Sequence, residues 1–267
     1  MLDQKYKKRS FLKLPVAIDS SKLLQEFNSI PAQQWASSYW GATHCSVGML
    51  LLRGGNSGTE ADFYSEEVHD NPLLDQLPYI RNLISNKGPF GGAKYAFIFR
   101  MLPNGITIAH QDLREEWFDM YRVHVPIITN DEAVLISDGY AIHFPIGEAW
   151  TFDNYSLHGV VNGQSERTHL IFDVPFNDVM ANCIDEADYH QGHIDKNKLE
   201  IISTKEKAIA SYPGDAAILQ TMITLKSYGF DNLRIAEFLN TKEVPTKKYG
   251  GTWDEHAVRE LMPAIFM

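Results

Sequence analysis

Short apolar runs separated by turn residues dominate the chain from residue 46 to residue 174, and most of them read as strands. Ser46–Arg53 sets Val47, Met49 and Leu51 against Gly48, Leu50 and Leu52, the pattern of a buried strand. Lys94–Leu102 is apolar and aromatic, which predicts a central strand. Pro103-Asn104-Gly105 has turn chemistry, and Ile106–Asp112 is predicted to follow as a new strand. Tyr121–Ile127 alternates, with Arg122 and His124 on one face and Val123 and Val125 on the other. Ala133–Ser137 and Tyr140–Pro145 flank Asp138-Gly139, a strong signal for a two-residue hairpin. Glu148–Asp153, Leu157–Val161 and Thr168–Val174 complete the series. Short strands at regular spacing predict a sandwich or barrel.

The flanks read differently. Phe11–Val16 is a short strand, and Asp19 or Ser20 caps a predicted helix through Lys22–Asn28. Trp35–Trp40 is an aromatic stretch suited to covering a core, residues 59–70 read as an acidic surface loop, and Pro78–Ile84 as a helix. After Pro175 the apolar spacing becomes helical in Phe176–Asp188, Lys198–Ala210, Ala216–Gly229, Leu233–Asn240 and Asp254–Met262. Residues 1–175 are therefore expected to form a β domain and residues 176–267 a helical C-terminal region.

Two histidines and a carboxylate supply the candidate chemistry. His110 and Asp112, two apart on a predicted strand, share a face, and His158 lies on a later strand. Two His and one carboxylate suit a facial triad, which holds Fe(II) on one side and leaves the other positions open. Arg167, in Ser165–Asp173, offers a planar fork to a carboxylate. Net charge of −10 argues against a general nucleic-acid surface and against attraction to anionic membranes. The two cysteines, Cys45 and Cys183, form no CxxC pair. With no apolar run after Met1 resembling a signal peptide or a membrane span, they point to the cytoplasm. The Gly54–Gly58 cluster lacks the context of a phosphate-binding loop.

From about Phe11 to Asp173 the chain resembles the aspartyl/asparaginyl β-hydroxylase-like Fe(II)/2-oxoglutarate dioxygenases, a group that includes bacterial proline hydroxylases. The segments that carry the resemblance are Leu102-Pro103-Asn104-Gly105-Ile106 leading into His110-Gln111-Asp112, then Tyr121–Pro126, Gly147–Asp153, and His158 to Arg167. The resemblance implies a mainly β fold, a double-stranded β-helix of jelly-roll or cupin type, followed here by the helical C-terminal region. It implies that His110, Asp112 and His158 bind Fe(II) and that Arg167 grips the far carboxylate of 2-oxoglutarate. It also implies that Arg122 and His124 lie by the other carboxylate or by the substrate. Some members lack the acidic ligand, whereas this chain has Asp112. The implied cofactors are Fe(II), 2-oxoglutarate as cosubstrate and O2, with ascorbate helpful in vitro.

Arg100, Arg122 and Trp117 are expected at the substrate. A carboxylate-bearing small molecule is the expected partner, a free proline-like amino acid first, with hydroxylation of a protein Asp or Asn side chain as the alternative. Arg234–Asn240 with Val244–Thr246 and Gly250–Trp253 resembles the helix-turn-helix tail of site-specific recombinases, which raises a third reading, a cupin-like regulator that binds DNA. From Asp215 to Met267, however, six Lys/Arg stand against seven Asp/Glu. That balance lacks the positive surface of a DNA-binding module, so no nucleic-acid partner and no membrane partner are expected.

Overall fold

The computed structural model describes residues 11–31, 34, 44–55, 64–112, 119–203, 222, 225–226, 230–241 and 251–262. The aromatic stretch at 35–40, residue Trp117 and most of the predicted helix at 216–229 lie outside the described residues.

Twelve strands form one curled, wholly antiparallel sheet among the described residues. They are β1 (Phe11–Leu14), β2 (His44–Gly54), β3 (His69–Asp70), β4 (Tyr95–His110), β5 (Met120–Ile128), β6 (Val134–Ser137), β7 (Tyr140–Ile142), β8 (Ala149–Phe152), β9 (His158–Val161), β10 (Arg167–Pro175), β11 (Asp188–His190) and β12 (His193–Ile194). The order is β11-β1-β8-β5-β10-β4-β9-β6-β7-β12, with β2 also against β4 and β3 against β2. This is a double-stranded β-helix.

The long strand β4 joins its two halves. Residues 95–101 pair with β10, and residues 106–110 pair with β9. The expected turn at Pro103-Asn104-Gly105 is instead a kink within one strand. Asn104 takes φ 58°, a conformation that Asn tolerates better than most residues. Its N–H donates to Gly163 O at 2.7 Å, and the Asn162 side-chain amide donates to Leu102 O at 2.7 Å. The kink is thus satisfied from the loop after β9, and the strand continues onto a new neighbour. The predicted hairpin between β6 and β7 forms, and its two turn residues have φ 48° (Asp138) and 83° (Gly139), the signs that a type I′ turn requires.

Strand alternation separates two buried layers. On the inner face Phe97, Phe99, Trp150, Phe152, Leu135 and Ile171 meet in an aromatic cluster. On the outer face Ile98, Val123, Val125, Leu170 and Phe172 meet the helices. Helix α1 (Ser20–Ser29) is capped by Asp19, whose side chain accepts from Lys22 N at 3.1 Å, and it buries Leu23 and Phe27, one turn apart. Its Glu26 carboxylate accepts from Tyr79 N (2.6 Å) and Ile80 N (2.9 Å), so one helix caps the start of α2 (Pro78–Ile84).

The chain after Pro175 forms α3 (Asp178–Asp185), α4 (Lys196–Ile201), α5 (Asn232–Thr241) and α6 (Glu255–Leu261). It also returns twice to the sheet, since β11 pairs with β1 and β12 with β7. These two strands are absent from the purely helical reading of the region. They are two or three residues long, too short for a period to show. Phe238, Leu239, Trp253 and Val258 join the same buried cluster as the outer face of the sheet. Asn240 ties α5 to the start of α6, accepting from Trp253 N and donating to Trp253 O, both at 2.7 Å. No described helix is long and apolar enough to cross a membrane.

Candidate active site

His110 ends β4, and His158 opens β9 directly opposite it in register. Asp112 lies two residues past the end of β4 rather than on it. Its backbone N–H donates to Asn154 O at 3.1 Å, which holds it beside the histidines. One ligand atom from each of His110, Asp112 and His158 lies within 4.8 Å of the other two. Asp112 Oδ1 is 3.6 Å from His110 Nε2, and Oδ2 is 3.9 Å from His158 Nε2.

Hydrogen bonds orient each of the three. His110 Nδ1 is 2.8 Å from Ile108 O, and His158 Nδ1 is 3.0 Å from Ser156 O. A carbonyl only accepts, so each ring carries its proton on Nδ1 and turns the Nε2 lone pair toward the cluster. Asp112 Oδ2 accepts from Arg122 Nη1 at 2.5 Å and from Asn154 Nδ2 at 3.1 Å, which leaves Oδ1 to face His110. Burial alone would push the Asp112 carboxyl up. Arg122, His158 and His110, with the Asn154 amide, outweigh it and hold the group below its ordinary value. Burial pushes His158 down to about 4, against the pull of Asp112. Two imidazole Nε2 atoms and one ionised carboxylate converging on a point are the donor set of a facial Fe(II) site.

Arg122 and His124 share a face of β5 as expected, but their settings differ. Asp173 is the direct cross-strand partner of Arg122. It receives a bidentate pair, 2.7 Å from Nε and 3.0 Å from Nη2. With Nη1 on Asp112, the guanidinium bridges two buried carboxylates. Burial lowers its proton affinity, but Asp173 and Asp112 more than restore it, so Arg122 stays cationic. It therefore fixes the Asp112 carboxylate against Asp173.

Arg100 lies on the other face of the sheet. It has the opposite parity to Phe97, Phe99 and Met101 on β4, so it projects to the outer face, away from the cluster. There its Nε and Nη2 each lie 2.9 Å from a Glu166 oxygen, and its guanidinium lies over the Phe27 ring. The substrate contact expected of it does not fit that position. Trp117 lies outside the described residues.

Arg167 opens β10 on the inner face, almost fully buried. No carboxylate pairs with it among the described residues, where its Nη2 lies 3.2 Å from His169 Nδ1. Burial pushes it down to about 9, so it remains a cation at neutral pH. Both ring nitrogens of His124 and the Nε2 of His169 are buried without a hydrogen-bond partner. A buried unpaired guanidinium beside unsatisfied imidazoles is costly unless a ligand completes it. An anion with acceptor oxygens fits that requirement. His169, Asp173 and Asn154 had no role in the sequence reading, although odd-number parity along β10 sets Arg167, His169 and Asp173 on one face.

With this geometry in place, comparison with known proteins assigns the chain. The family model described as aspartyl/asparaginyl beta-hydroxylase matches residues 25–175, more than half of the chain. The chain belongs to this family. It is accordingly an Fe(II)- and 2-oxoglutarate-dependent hydroxylase. Similar solved structures include a 2OG-Fe(II) oxygenase family oxidoreductase from Burkholderia pseudomallei (TM-score 0.44, 15% identity, covering 69% of this chain and 87% of that one). A prolyl-4-hydroxylase from Pseudomonas putida gives 0.38, 15%, 65% and 96% in the same order. A cupin-like protein from Thermotoga maritima gives 0.31, 9%, 63% and 93%.

Proposed function

We propose that the protein hydroxylates an unactivated carbon of a free, proline-like amino acid or a small amino-acid-derived metabolite. The observation that carries the reading is the convergence of His110, Asp112 and His158 on the same inner face as the unpaired cation Arg167. Fe(II) with 2-oxoglutarate and O2 supplies the chemistry, decarboxylation of the keto acid to succinate with transfer of an oxygen atom to the substrate carbon.

His110 Nε2, His158 Nε2 and Asp112 Oδ1 would hold the metal. Arg122 and Asn154 fix Asp112 so that one carboxylate oxygen faces it. Arg167 would anchor the far carboxylate of 2-oxoglutarate with a charge-assisted contact in a dry interior. His124, buried on the same face with both nitrogens unpartnered, would meet the cosubstrate as well. Phe144, Phe152 and Trp150 close the wall behind it and exclude water. Ascorbate would help in vitro by keeping the iron reduced.

Enclosure supports a small substrate. Asp112 and His158 are buried, and only His110 reaches the rim, with its side chain 23% exposed. Arg100 and Arg122 both close on carboxylates of the chain, so neither supports the expected carboxylate preference of the substrate. The test is a screen of free amino acids and of Asp- and Asn-containing peptides for substrate-stimulated succinate formation, with the product weighed by mass spectrometry. Stimulation by a proline-like amino acid, with a gain of one oxygen, is expected. Stimulation by peptides alone would replace this reading with protein side-chain hydroxylation, the reaction after which the matching family is named.

A further inference from the structure

We propose that His169 is the second hydrogen-bond donor for the far carboxylate of 2-oxoglutarate, acting beside Arg167 through its Nε2–H. This rests on the reading that Arg167 anchors that carboxylate.

The proton position follows from donor and acceptor chemistry. Arg167 Nη2 lies 3.2 Å from His169 Nδ1. A guanidinium has only donors, so Nδ1 must be the acceptor, and the proton of the neutral ring sits on Nε2. This is the reverse of His110 and His158, whose Nδ1 atoms face carbonyls. Arg167 thereby fixes the tautomer of its neighbour.

The Nε2–H so created has no partner. It is buried without a hydrogen bond, and the residue is 1% exposed. Among the described residues no acceptor lies within hydrogen-bond distance of it. The ring stacks on Phe144 at 6.4 Å between centroids and meets the edge of His124 at 6.0 Å. An N–H stranded among aromatic rings is an unfavourable element of a core, and a carboxylate oxygen would complete it. Residues 167 and 169 project from the same face of one strand, as two donors to a single carboxylate should. A neutral donor also lets the pocket bind a dicarboxylate without burying a second positive charge.

The experiment measures binding by calorimetry to protein loaded with Mn(II), which avoids turnover. The two probes are 2-oxoglutarate and 2-oxovalerate, the five-carbon keto acid that lacks the far carboxylate. His169→Leu should weaken 2-oxoglutarate about ten- to hundred-fold, the loss of a hydrogen bond to a charged group, and leave 2-oxovalerate unchanged. His169→Gln, which offers an acceptor to Arg167 and places an amide N–H near the Nε2 position, should recover most of the affinity. His169→Asn, whose amide reaches only the Nδ1 position, should not. If His169→Leu fails to fold, the contrast between the Gln and Asn variants decides. Equal effects on the two keto acids, no effect on either, or equal behaviour of Gln and Asn would overturn the proposal and leave His169 a packing residue. Arg167→Gln separates the two levels. If it weakens 2-oxoglutarate while His169→Leu does not, only the present inference fails. If the unaltered protein binds no 2-oxoglutarate, the proposed function fails and this inference with it.

Discussion

Arg167, buried, and Arg122, half-buried, both lie on the inner face, and their partners separate their roles. Arg167 has no carboxylate beside it among the described residues, so its substitution should be felt by the ligand. Arg167→Gln is expected to raise the 2-oxoglutarate concentration needed for half-maximal succinate formation by roughly ten- to a hundred-fold, the worth of a charge-assisted contact, with metal affinity little changed. An unchanged requirement would remove Arg167 from the cosubstrate site. Arg122 bridges Asp112 and Asp173, so its loss leaves two buried carboxylates facing each other. Arg122→Gln is expected to cost about 3–5 kcal/mol in denaturant unfolding, and Asp173→Asn in the same chain should return part of it. A loss below about 1 kcal/mol would show that the bridge is not structural. The His-x-Asp motif and the later His were legible in the sequence, although Asp112 is held beside His110 by its N–H bond to Asn154 O rather than by strand alternation. The outward parity of Arg100 on β4 and its pairing with Glu166 are set by the strand's register. Asp173 and Asn154 were missed because their roles depend on which strands become neighbours, and only the assembled sheet fixes that.

At the scale of elements, the His110–Asp112–His158 cluster is built where β9 meets the end of β4. Gly159 follows His158 and sits between strands. A Cβ there would lie 2.6 Å from the Thr107 carbonyl oxygen of β4, a backbone atom with little freedom to yield. Gly159→Ala should therefore spread the two strands beside the ligands. Its expected cost is about 1–3 kcal/mol in stability, with weaker metal binding read by calorimetry. A variant with unaltered stability and metal affinity would show that the spacing of β4 and β9 does not set the ligand geometry. The Asp138-Gly139 hairpin was legible because its turn type demands positive φ at two positions and the sequence supplies residues suited to it. The same reasoning failed at Asn104, where one left-handed residue kinks a strand instead of reversing it. Local chemistry was right about the conformation there and silent about the connection.

At the scale of the whole molecule, the buried imidazoles couple stability to pH. Burial, with Arg167 nearby, holds His124 and His169 well below the usual imidazole value. The unfolded chain takes up protons at these positions below about pH 6.5, while the folded protein does not. The stabilising contribution is thus complete above that value and declines as pH falls toward the depressed folded values, by up to about 1.4 kcal/mol per unit for each histidine. Urea unfolding of the ligand-free protein at pH 7.5, 6.5 and 5.5 should show the loss below 6.5. The double variant His124→Gln, His169→Gln should show a shallower slope over the same range. Equal slopes would contradict the assignment of these two groups. The helical tail belongs to the same scale. Its apolar stripes were visible in sequence, while the outer-face cluster they join became apparent only in the folded chain.

The central claim is that one inner face holds Fe(II) through His110, Asp112 and His158 and 2-oxoglutarate through Arg167. Its most direct test is an anaerobic titration of the Fe(II)-loaded protein with 2-oxoglutarate, followed by the visible charge-transfer absorbance of a keto acid chelated to Fe(II). The unaltered protein should develop the band and saturate, Asp112→Ala should develop little or none, and Arg167→Gln should reach the same band only at much higher 2-oxoglutarate. Absence of the band in the unaltered protein, or an undiminished band at the same concentrations in both variants, would contradict the account.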